Sequence, residues 1–248
     1  MNLVADIDGV VLLGEQPVPG AGDALVRFDG KGWNVLFVTN NSSRGAADIA
    51  DRIHRIAGYP AGRDQVLHSG RAAATLVGKG PALVLGGTGI VEGLEERGIE
   101  MTTEWRAAQV VVVGLDRALT YDRLRDAVLA VRAGAALVAS NDDATYPTSD
   151  GQWPGAGAMV AAVERATDVK ATVAGKPHRA MVDLVDERLV PGDVWMVGDR
   201  PETDLVMAEQ AGWKSVQVLS GVSATPYPEA DLVVADLAEL ADRLAPDR

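Results

Sequence analysis

Short runs of Val, Leu and Ile alternate along the chain with Ala-rich stretches that carry charged residues. Runs of the first kind are typical of buried strands and stretches of the second kind of helices, so the alternation predicts βα units that build a mainly parallel sheet. The predicted strands are Leu3–Ala5, Val35–Val38, Ala82–Leu85, Val110–Val113, Ala136–Ala139, Val194–Val197, Ser215–Leu219 and Leu232–Val234. The predicted helices include Gly20–Phe28, Ala46–Ile56, Tyr121–Ala133, Arg179–Arg188 and Thr203–Ala211. The pattern therefore indicates an α/β fold.

Acidic and hydroxyl-bearing clusters group towards the two ends of the chain, at residues 6–8, 39–43, 176 and 198–204. The middle of the sequence carries none of these clusters. No repeat, low-complexity tract or long linker marks a boundary. The placement of the clusters predicts a catalytic core built from both chain ends, with an inserted domain between them.

Composition narrows the classes of function. The chain has 248 residues, 47% of them hydrophobic, and a formal net charge of −12. This charge argues against binding to nucleic acid or to an anionic membrane, so a small ligand is the expected partner. The absence of Cys excludes a disulfide, a thiolate nucleophile and a thiolate-bound metal. Without a signal-peptide pattern or a long apolar run, we expect a soluble cytoplasmic protein.

The first candidate segment is Leu3–Val10, an apolar run that ends in Asp6 and Asp8. Two acids at this spacing share one face of an extended chain and would lie at the carboxyl end of a parallel strand, where open α/β sheets bind ligands. A divalent cation would relieve the repulsion between them. Gly9 permits a sharp change of backbone direction. Taken alone, the pair is also typical of a helix cap or a solvated turn.

Two further segments could contact a phosphate. Thr39-Asn40-Asn41-Ser42-Ser43 follows a predicted strand, and a hydroxyl with successive backbone N–H groups at such a turn can cradle phosphate. The same residue types are common in ordinary turns and caps. Lys176 stands in a Gly-Lys-Pro turn that restricts its backbone, and its ammonium could neutralise a phosphate.

The fourth segment, Val194–Asp204, joins a predicted strand to a predicted helix and carries two acids five residues apart. Asp199 is placed as a metal ligand, and Asp204 as a group that orients it. An acid in a first helical turn is also favoured by the helix dipole alone, which leaves a second explanation for Asp204.

The four segments, in this order, resemble those of the haloacid dehalogenase (HAD) superfamily. The stretch Val218–Val222 looks like subfamily IIA, the NagD-like and p-nitrophenyl phosphatase-like group. The resemblance implies a Rossmann-like core with a parallel sheet and helices on both faces, plus an inserted α/β cap of the C2 type. The implied boundaries are 1–70 and 171–248 for the core and 71–170 for the cap.

The resemblance also implies a mechanism. Asp6 would be the nucleophile and would form an aspartyl-phosphate. Asp8 would protonate the leaving alcohol and then deprotonate the attacking water. The first step requires a proton on Asp8, which we expect a crowded acidic setting to provide. Dehalogenases lack this second acid, so Asp8 favours hydrolysis of phosphate esters.

The implied cofactor is Mg²⁺, held by Asp6, the backbone carbonyl of Asp8 and Asp199. Asp204 would lie next to these ligands and hold Asp199 in its orientation. The phosphoryl oxygens would be bound by the residues Thr39, Asn40 through its backbone N–H, and Lys176.

In the cap, Asp143, Tyr146 and Trp153 are candidates for recognition of the leaving group, although large aromatic residues more often pack in cores. Related proteins act on sugar phosphates, glycerol phosphate, phosphoglycolate and nucleoside monophosphates, and also on p-nitrophenyl phosphate. The resemblance is compatible with a homodimer formed through the cap. The alternatives are a HAD-fold phosphotransferase and a non-catalytic protein that binds a phosphate ligand.

The glycine-rich stretch Leu85–Ile90 does not fit a dinucleotide-binding fingerprint, because the third glycine would fall at position 92, which is Glu. We expect a tight turn there.

Overall fold

The structure, a computed structural model, describes residues 1–148, 150–223 and 225–246. These residues form two compact units, each built from separate stretches of the chain. The first unit comprises Met1–Thr39, Ala46–Leu67 and Val185–Arg248, and the second comprises Asn40–Gly45 and His68–Leu184.

Strands and helices alternate through most of the chain. The strands are β1 (Asn2–Ala5), β2 (Leu12–Leu13), β3 (Gln16–Pro17), β4 (Asn34–Thr39), β5 (Val66–His68), β6 (Ala82–Leu85), β7 (Val110–Val113), β8 (Ala136–Ala139), β9 (Thr145–Thr148), β10 (Gly151–Pro154), β11 (Thr172–Val173), β12 (Val194–Gly198), β13 (Lys214–Val218) and β14 (Leu232–Val234). The α-helices are α1 (Ala21–Gly30), α2 (Ala46–Ala57), α3 (Ser69–Thr75), α4 (Thr88–Glu96), α5 (Tyr121–Arg132), α6 (Ala156–Thr167), α7 (Arg179–Asp186), α8 (Val206–Ala211) and α9 (Leu237–Leu244). A 3₁₀ turn (Arg63–Gln65) precedes β5, and a π-helical turn (Pro201–Leu205) precedes α8.

The first unit is organised around a sheet with the strand order β14-β13-β12-β1-β4-β5. The pairs from β14 to β4 are all parallel, and β1 lies between β12 and β4. Every residue of β1 is buried, as expected for a strand in the middle of a covered parallel sheet. The apolar core around it includes Leu3, Phe28 and Phe37, together with residues of α2 and α9.

The second unit has its own parallel sheet, of order β11-β8-β7-β6, and an antiparallel hairpin formed by β9 and β10. Its core contains the buried Val and Leu side chains of β6–β8 and the apolar faces of α5 and α6. Helices α3 and α4 approach closely at glycines: a Cβ atom on Gly70 would lie 2.5 Å from the carbonyl oxygen of Gly89.

The structure confirms the α/β class and all eight predicted strands. It differs from the predictions at the glycine-rich stretch and at the start of one helix, and it contains strands that were not predicted, among them β9 and β10. After a short turn at Gly86 and Gly87, α4 begins at Thr88, so Gly89 belongs to a helix. The glycine is needed because a Cβ atom there would overlap the carbonyl oxygen of Arg44. The helix predicted at Thr203 begins instead with the π-helical turn. No helix formed by the described residues is long and apolar enough to cross a bilayer.

Candidate active site

Three buried carboxylates converge at the carboxyl ends of two neighbouring strands in the first unit. Asp6 follows β1, Asp199 follows β12, and Asp204 lies in the π-helical turn after β12. One oxygen from each side chain lies within 4.8 Å of the other two. Because β1 and β12 pair in parallel, with Ala5 opposite Val197, both chains leave the sheet at the same edge. The predicted encounter of Asp6 with the 199–204 segment is therefore present.

The side chain of Asp199 is held by backbone groups. Its Oδ2 atom accepts a hydrogen bond of 2.7 Å from the N–H of Val222. Cβ atoms on Gly9 or Gly221 would overlap this same oxygen, so both glycines are needed to admit the carboxylate. The Oγ atom of Ser220 donates a 2.7 Å hydrogen bond to the carbonyl of Gly9 and ties the two glycine segments together.

Asp204 is fixed by the π-helical turn that it helps to form. Its Oδ2 atom accepts a 3.1 Å hydrogen bond from the N–H of Arg200. The carboxylate packs directly on the backbone of Gly198, where any side chain would overlap it. This explains why the strand ends in glycine immediately before Asp199. The placement brings an oxygen of Asp204 into the same carboxylate cluster as Asp6 and Asp199.

Asp8 occupies a different environment from the one that its predicted role suggested. Its side chain is 55% exposed, and its Oδ1 atom lies 3.6 Å from Nη1 of Arg52. Arg52 also contacts Glu15, with an Nε to Oε1 distance of 3.3 Å, and donates to the carbonyl of Gly14. The expected crowding of Asp8 by acids is therefore replaced by solvent and a cation from α2.

The predicted phosphate-binding residues fall in both units. Thr39 is the last residue of β4 in the first unit, and it is buried. Asn40 and Lys176 lie together in the second unit. The side-chain oxygen of Asn40 accepts a 2.7 Å hydrogen bond from the N–H of Lys176, and its Nδ2 atom donates to the Lys176 carbonyl at 3.2 Å. The Asn40 side chain thus holds the backbone of Lys176, a role that the sequence did not indicate.

The backbone of Asn40 is held in turn by two side chains of the second unit. Its carbonyl oxygen accepts hydrogen bonds from Oγ of Ser69 at 2.5 Å and from Nδ2 of Asn141 at 2.7 Å. Two residues further along the chain, the buried hydroxyl of Ser42 lies 2.9 Å from that of Ser140. These contacts fix the direction of the backbone that follows Thr39.

Asp143 contacts the same asparagine. The Nδ2 atom of Asn40 lies 3.3 Å and 3.4 Å from the two carboxylate oxygens of Asp143. Of the three cap candidates, Asp143 is therefore the one that the structure brings to a predicted phosphate-binding residue.

Tyr146 and Trp153 face each other across the β9–β10 hairpin, with ring centroids 6.4 Å apart in an edge-to-face arrangement. Trp153 is 42% exposed, so it is not a core residue. Arg117 joins this pair: its Nη2 atom donates a 2.9 Å hydrogen bond to the Tyr146 hydroxyl, and its guanidinium lies 5.5 Å and 5.8 Å from the two ring centroids.

Several residues of these sites were missed by the sequence interpretation. Ser220, Gly221 and Val222 belong to a stretch that supported the family resemblance, but no role was predicted for them. A polar and glycine-containing turn directly after a buried strand was the available signal. No role was predicted for Asn141 or Arg117, because each acts on a residue distant along the chain.

The carboxylate cluster suits a divalent cation. Three ionised carboxylates this close repel one another, and their burial increases the cost of the charges. Carboxylate oxygens are the ligands that hard ions such as Mg²⁺ and Ca²⁺ prefer. The residues present therefore fit a divalent metal.

Comparison with known proteins identifies the family. A haloacid dehalogenase-like hydrolase model matches residues 3–100, and a second HAD-hydrolase-like model matches residues 173–240. Chronophin from Mus musculus is 35% identical over 93% of this chain and 85% of its own. D-glycerol 3-phosphate phosphatase from Mycobacterium tuberculosis is 36% identical over 90% of this chain and 64% of its own. Phosphoglycolate phosphatase 2 from Arabidopsis thaliana is 34% identical, with 88% and 82% covered.

Solved structures support the same family assignment. A hypothetical protein from Pyrococcus horikoshii has a TM-score of 0.92 at 33% identity and covers 98% of this chain and 99% of its own. A 4-nitrophenylphosphatase from Thermotoga maritima has a TM-score of 0.88 at 31% identity, with 97% and 96% covered. Glycerol phosphate phosphatase from Mycobacterium tuberculosis, crystallised with magnesium, has a TM-score of 0.87 at 34% identity, with 96% and 76% covered. The chain therefore belongs to the haloacid dehalogenase-like hydrolases, in subfamily IIA with the NagD-like and p-nitrophenyl phosphatase-like proteins, and is a phosphoric monoester hydrolase for small molecules.

Proposed function

We propose that this protein is a Mg²⁺-dependent phosphatase that cleaves small phosphate monoesters through an aspartyl-phosphate on Asp6. The observation that supports this proposal most directly is the convergence of the Asp6, Asp199 and Asp204 carboxylates at the carboxyl ends of β1 and β12. A buried acidic cluster at this position provides both a nucleophile and ligands for a cation.

A divalent ion would be held by the side chains of Asp6 and Asp199 and by the backbone carbonyl of Asp8, and Asp204 would orient Asp199. Glycines enclose Asp199 and Val222 anchors it, so its oxygen is held in place before the ion binds. When bound, Mg²⁺ would neutralise charge on the phosphate and lower the repulsion that opposes an anionic nucleophile.

In the first step, a carboxylate oxygen of Asp6 attacks phosphorus, and the bond from phosphorus to the ester oxygen breaks. Asp8 gives its proton to that oxygen, so the product leaves as a neutral alcohol. In the second step, Asp8 takes a proton from water, and the water oxygen attacks phosphorus. The bond to Asp6 breaks, which restores the Asp6 carboxylate and releases inorganic phosphate.

Access to solvent suits the task of Asp8, because the residue must exchange protons with an alcohol and then with water. Arg52, 3.6 Å away, would restrict the directions available to its side chain. The pair is largely open to solvent on the Asp8 side, so the attraction between the two charges is weakened by water.

The transferring phosphoryl group would be bound by the Thr39 hydroxyl, the Asn40 N–H and the Lys176 ammonium. Burial of Thr39 and Lys176 supports this role, because donors held away from water interact strongly with an anion. The hydrogen bonds from Ser69 and Asn141 to the Asn40 carbonyl fix the peptide that follows Thr39. These donors would be preorganised for the phosphate.

For the leaving group, we propose recognition by Asp143, Tyr146 and Trp153. The contact between Asp143 and Asn40 supports this, because Asn40 is one of the residues proposed to bind the phosphate. Relatives named as a D-glycerol 3-phosphate phosphatase, a phosphoglycolate phosphatase, a 5'-nucleotidase and an acid sugar phosphatase indicate the range of substrates to test.

Three parts of the proposal rest on the sequence resemblance alone. They are the division into a catalytic core at 1–70 and 171–248, the cap at 71–170, and a homodimer formed through the cap. A location in the cytoplasm is proposed from the pattern of the sequence.

The proposal is tested by phosphate release from p-nitrophenyl phosphate. We expect turnover that requires Mg²⁺, stops with a chelator and is absent in Asp6→Asn. Asp193→Asn is the matched control, because Asp193 is an exposed acid that pairs with Lys214. Retained turnover in Asp6→Asn would overturn the assignment of the nucleophile. Transfer of phosphate to an added alcohol in preference to water would favour a phosphotransferase instead.

A further inference from the structure

Arg117 is an exposed arginine whose direction is nevertheless defined by three contacts. It donates to the Tyr146 hydroxyl and lies against the rings of Tyr146 and Trp153. Cation–π contact and a hydrogen bond together restrict a side chain that would otherwise be free to rotate. Tyr146 and Trp153 are cross-strand partners in the β9–β10 hairpin, so the three side chains form one cluster.

The charge of this cluster is not neutralised by the protein. Among the described residues, no carboxylate lies within ion-pair distance of Arg117. Its neighbour Asp116 is buried and pairs with Arg123 instead, at 2.5 Å. The Arg117 guanidinium has five N–H donors and the hydrogen bond to Tyr146 uses one Nη2 group, so donors remain for a ligand.

A short segment of chain joins the cluster to the proposed phosphate-binding residues of the same unit. Asp143 contacts the side chain of Asn40, which also holds the backbone of Lys176. Tyr146 follows Asp143 by three residues, and three residues of extended chain span at most about 11 Å. A leaving group that extends along this segment from a phosphate near Asn40 would approach Arg117.

We propose that Arg117 binds a carboxylate on the leaving group, so that the preferred substrates are phosphate monoesters of hydroxy acids. This inference rests on the phosphatase function proposed above. The planar guanidinium matches a carboxylate with paired hydrogen bonds, and its contacts with Tyr146 and Trp153 restrict its direction. A neutral polyol phosphate gains no comparable interaction.

The alternative is that Arg117 only braces the hairpin through Tyr146 and Trp153. The two explanations differ in one measurable respect. If Arg117 only braces the hairpin, its substitution lowers kcat/KM for all substrates to the same degree. If Arg117 binds a carboxylate, its substitution changes the ratio of kcat/KM between an acid and its neutral counterpart.

The experiment compares 3-phosphoglycerate with glycerol 3-phosphate, which differ by a carboxylate in place of a hydroxymethyl group. In the native enzyme we expect kcat/KM to favour the acid about tenfold or more, as for one charge-assisted hydrogen-bonded contact. Arg117→Gln should remove this preference, mainly through KM for the acid, and leave kcat/KM for p-nitrophenyl phosphate unchanged. Arg117→Lys should keep part of the preference, and added salt should reduce it.

The control is Arg165→Gln, which removes an exposed arginine of α6 in the same unit. Arg165→Gln should leave the ratio of kcat/KM for 3-phosphoglycerate to that for glycerol 3-phosphate unchanged. A native preference for glycerol 3-phosphate, or an equal loss on both substrates in Arg117→Gln, would overturn the proposal. Retained hydrolysis of p-nitrophenyl phosphate in either case separates this failure from a failure of the phosphatase function itself. Thermal unfolding of each variant shows whether the hairpin has been disrupted.

Discussion

Gly9 and Asp199 occupy adjoining space: a Cβ atom built on Gly9 would overlap Oδ2 of Asp199 and lie 2.5 Å from its Cγ atom. The two residues come from opposite ends of the chain and follow β1 and β12, which pair in parallel. Gly9 also has a φ of 90°, a conformation that other residues rarely adopt. The glycine after Asp8 is therefore required by the carboxylate of Asp199 as well as by the backbone.

Gly9→Ala should move the Asp199 carboxylate away from Asp6 and reduce kcat about 100-fold or more, because a shift of about 1 Å at a catalytic group has effects of this size. Added volume should also lower the free energy of unfolding by about 1–3 kcal/mol. The measurements are kcat for p-nitrophenyl phosphate and unfolding by urea.

Gly14→Ala provides the matched control, because Gly14 also has a positive φ, of 60°, and a Cβ atom there would meet nothing within 4 Å. It should cost about 1 kcal/mol of stability and leave kcat unchanged. Equal losses of kcat in both variants would show that backbone strain, and not contact with Asp199, explains the glycine.

The fold could be predicted largely from the distribution of apolar residues. The eight predicted strands are short apolar runs, mostly of buried residues, and such runs stand out against the charged helices. The strands β9 and β10 were missed because the segments Thr145–Thr148 and Gly151–Pro154 contain proline, lack alternation and expose most of their residues.

The candidate site could be predicted as far as strand ends determine it. Asp6 and Asp199 follow neighbouring parallel strands, so the topology alone brings them together. The contacts of Asn40 could not be found in this way. Asn141 is 101 residues away in sequence and Ser69 is 29 residues away, and short polar residues in turns have many possible partners.

Removal of the metal should lower the stability of the native protein. A ligand at 100 times its dissociation constant stabilises the folded state by about 2.7 kcal/mol, because it binds only that state. In Asp199→Asn we expect a metal-free protein at least as stable as the native one, since one of three crowded charges is gone. The variant should gain little from Mg²⁺. Thermal unfolding with and without Mg²⁺ measures both effects, and an equal Mg²⁺ shift in the two proteins would exclude Asp199 as a ligand.

Asn141→Ala should weaken phosphate binding, although the residue lies outside the predicted phosphate-binding set. It removes a donor to the Asn40 carbonyl, so the peptide after Thr39 becomes less restricted. We expect about a tenfold loss in kcat/KM and a similar loss in inhibition by inorganic phosphate, as for one buried hydrogen bond. Asn141→Asp should lower kcat/KM more than Asn141→Ala does, because it places a negative oxygen against that carbonyl. A higher kcat/KM in Asn141→Asp than in Asn141→Ala would contradict the hydrogen-bond assignment.

His68 should make the stability depend on pH in a defined direction. Burial, followed by the nearby Arg71 cation, lowers its pKa from 6.5 to about 4. The unfolded chain therefore binds a proton below pH 6.5 that the folded protein does not accept until about pH 4. Stability should fall as the pH decreases through this window, by about 2 kcal/mol between pH 8 and pH 5 from His68 alone. In His68→Asn an amide oxygen can still cap α3 by accepting from the N–H of Arg71, as Nδ1 of His68 does. Urea unfolding at several pH values should show a shallower dependence in this variant, and an unchanged slope would mean that His68 does not carry the effect.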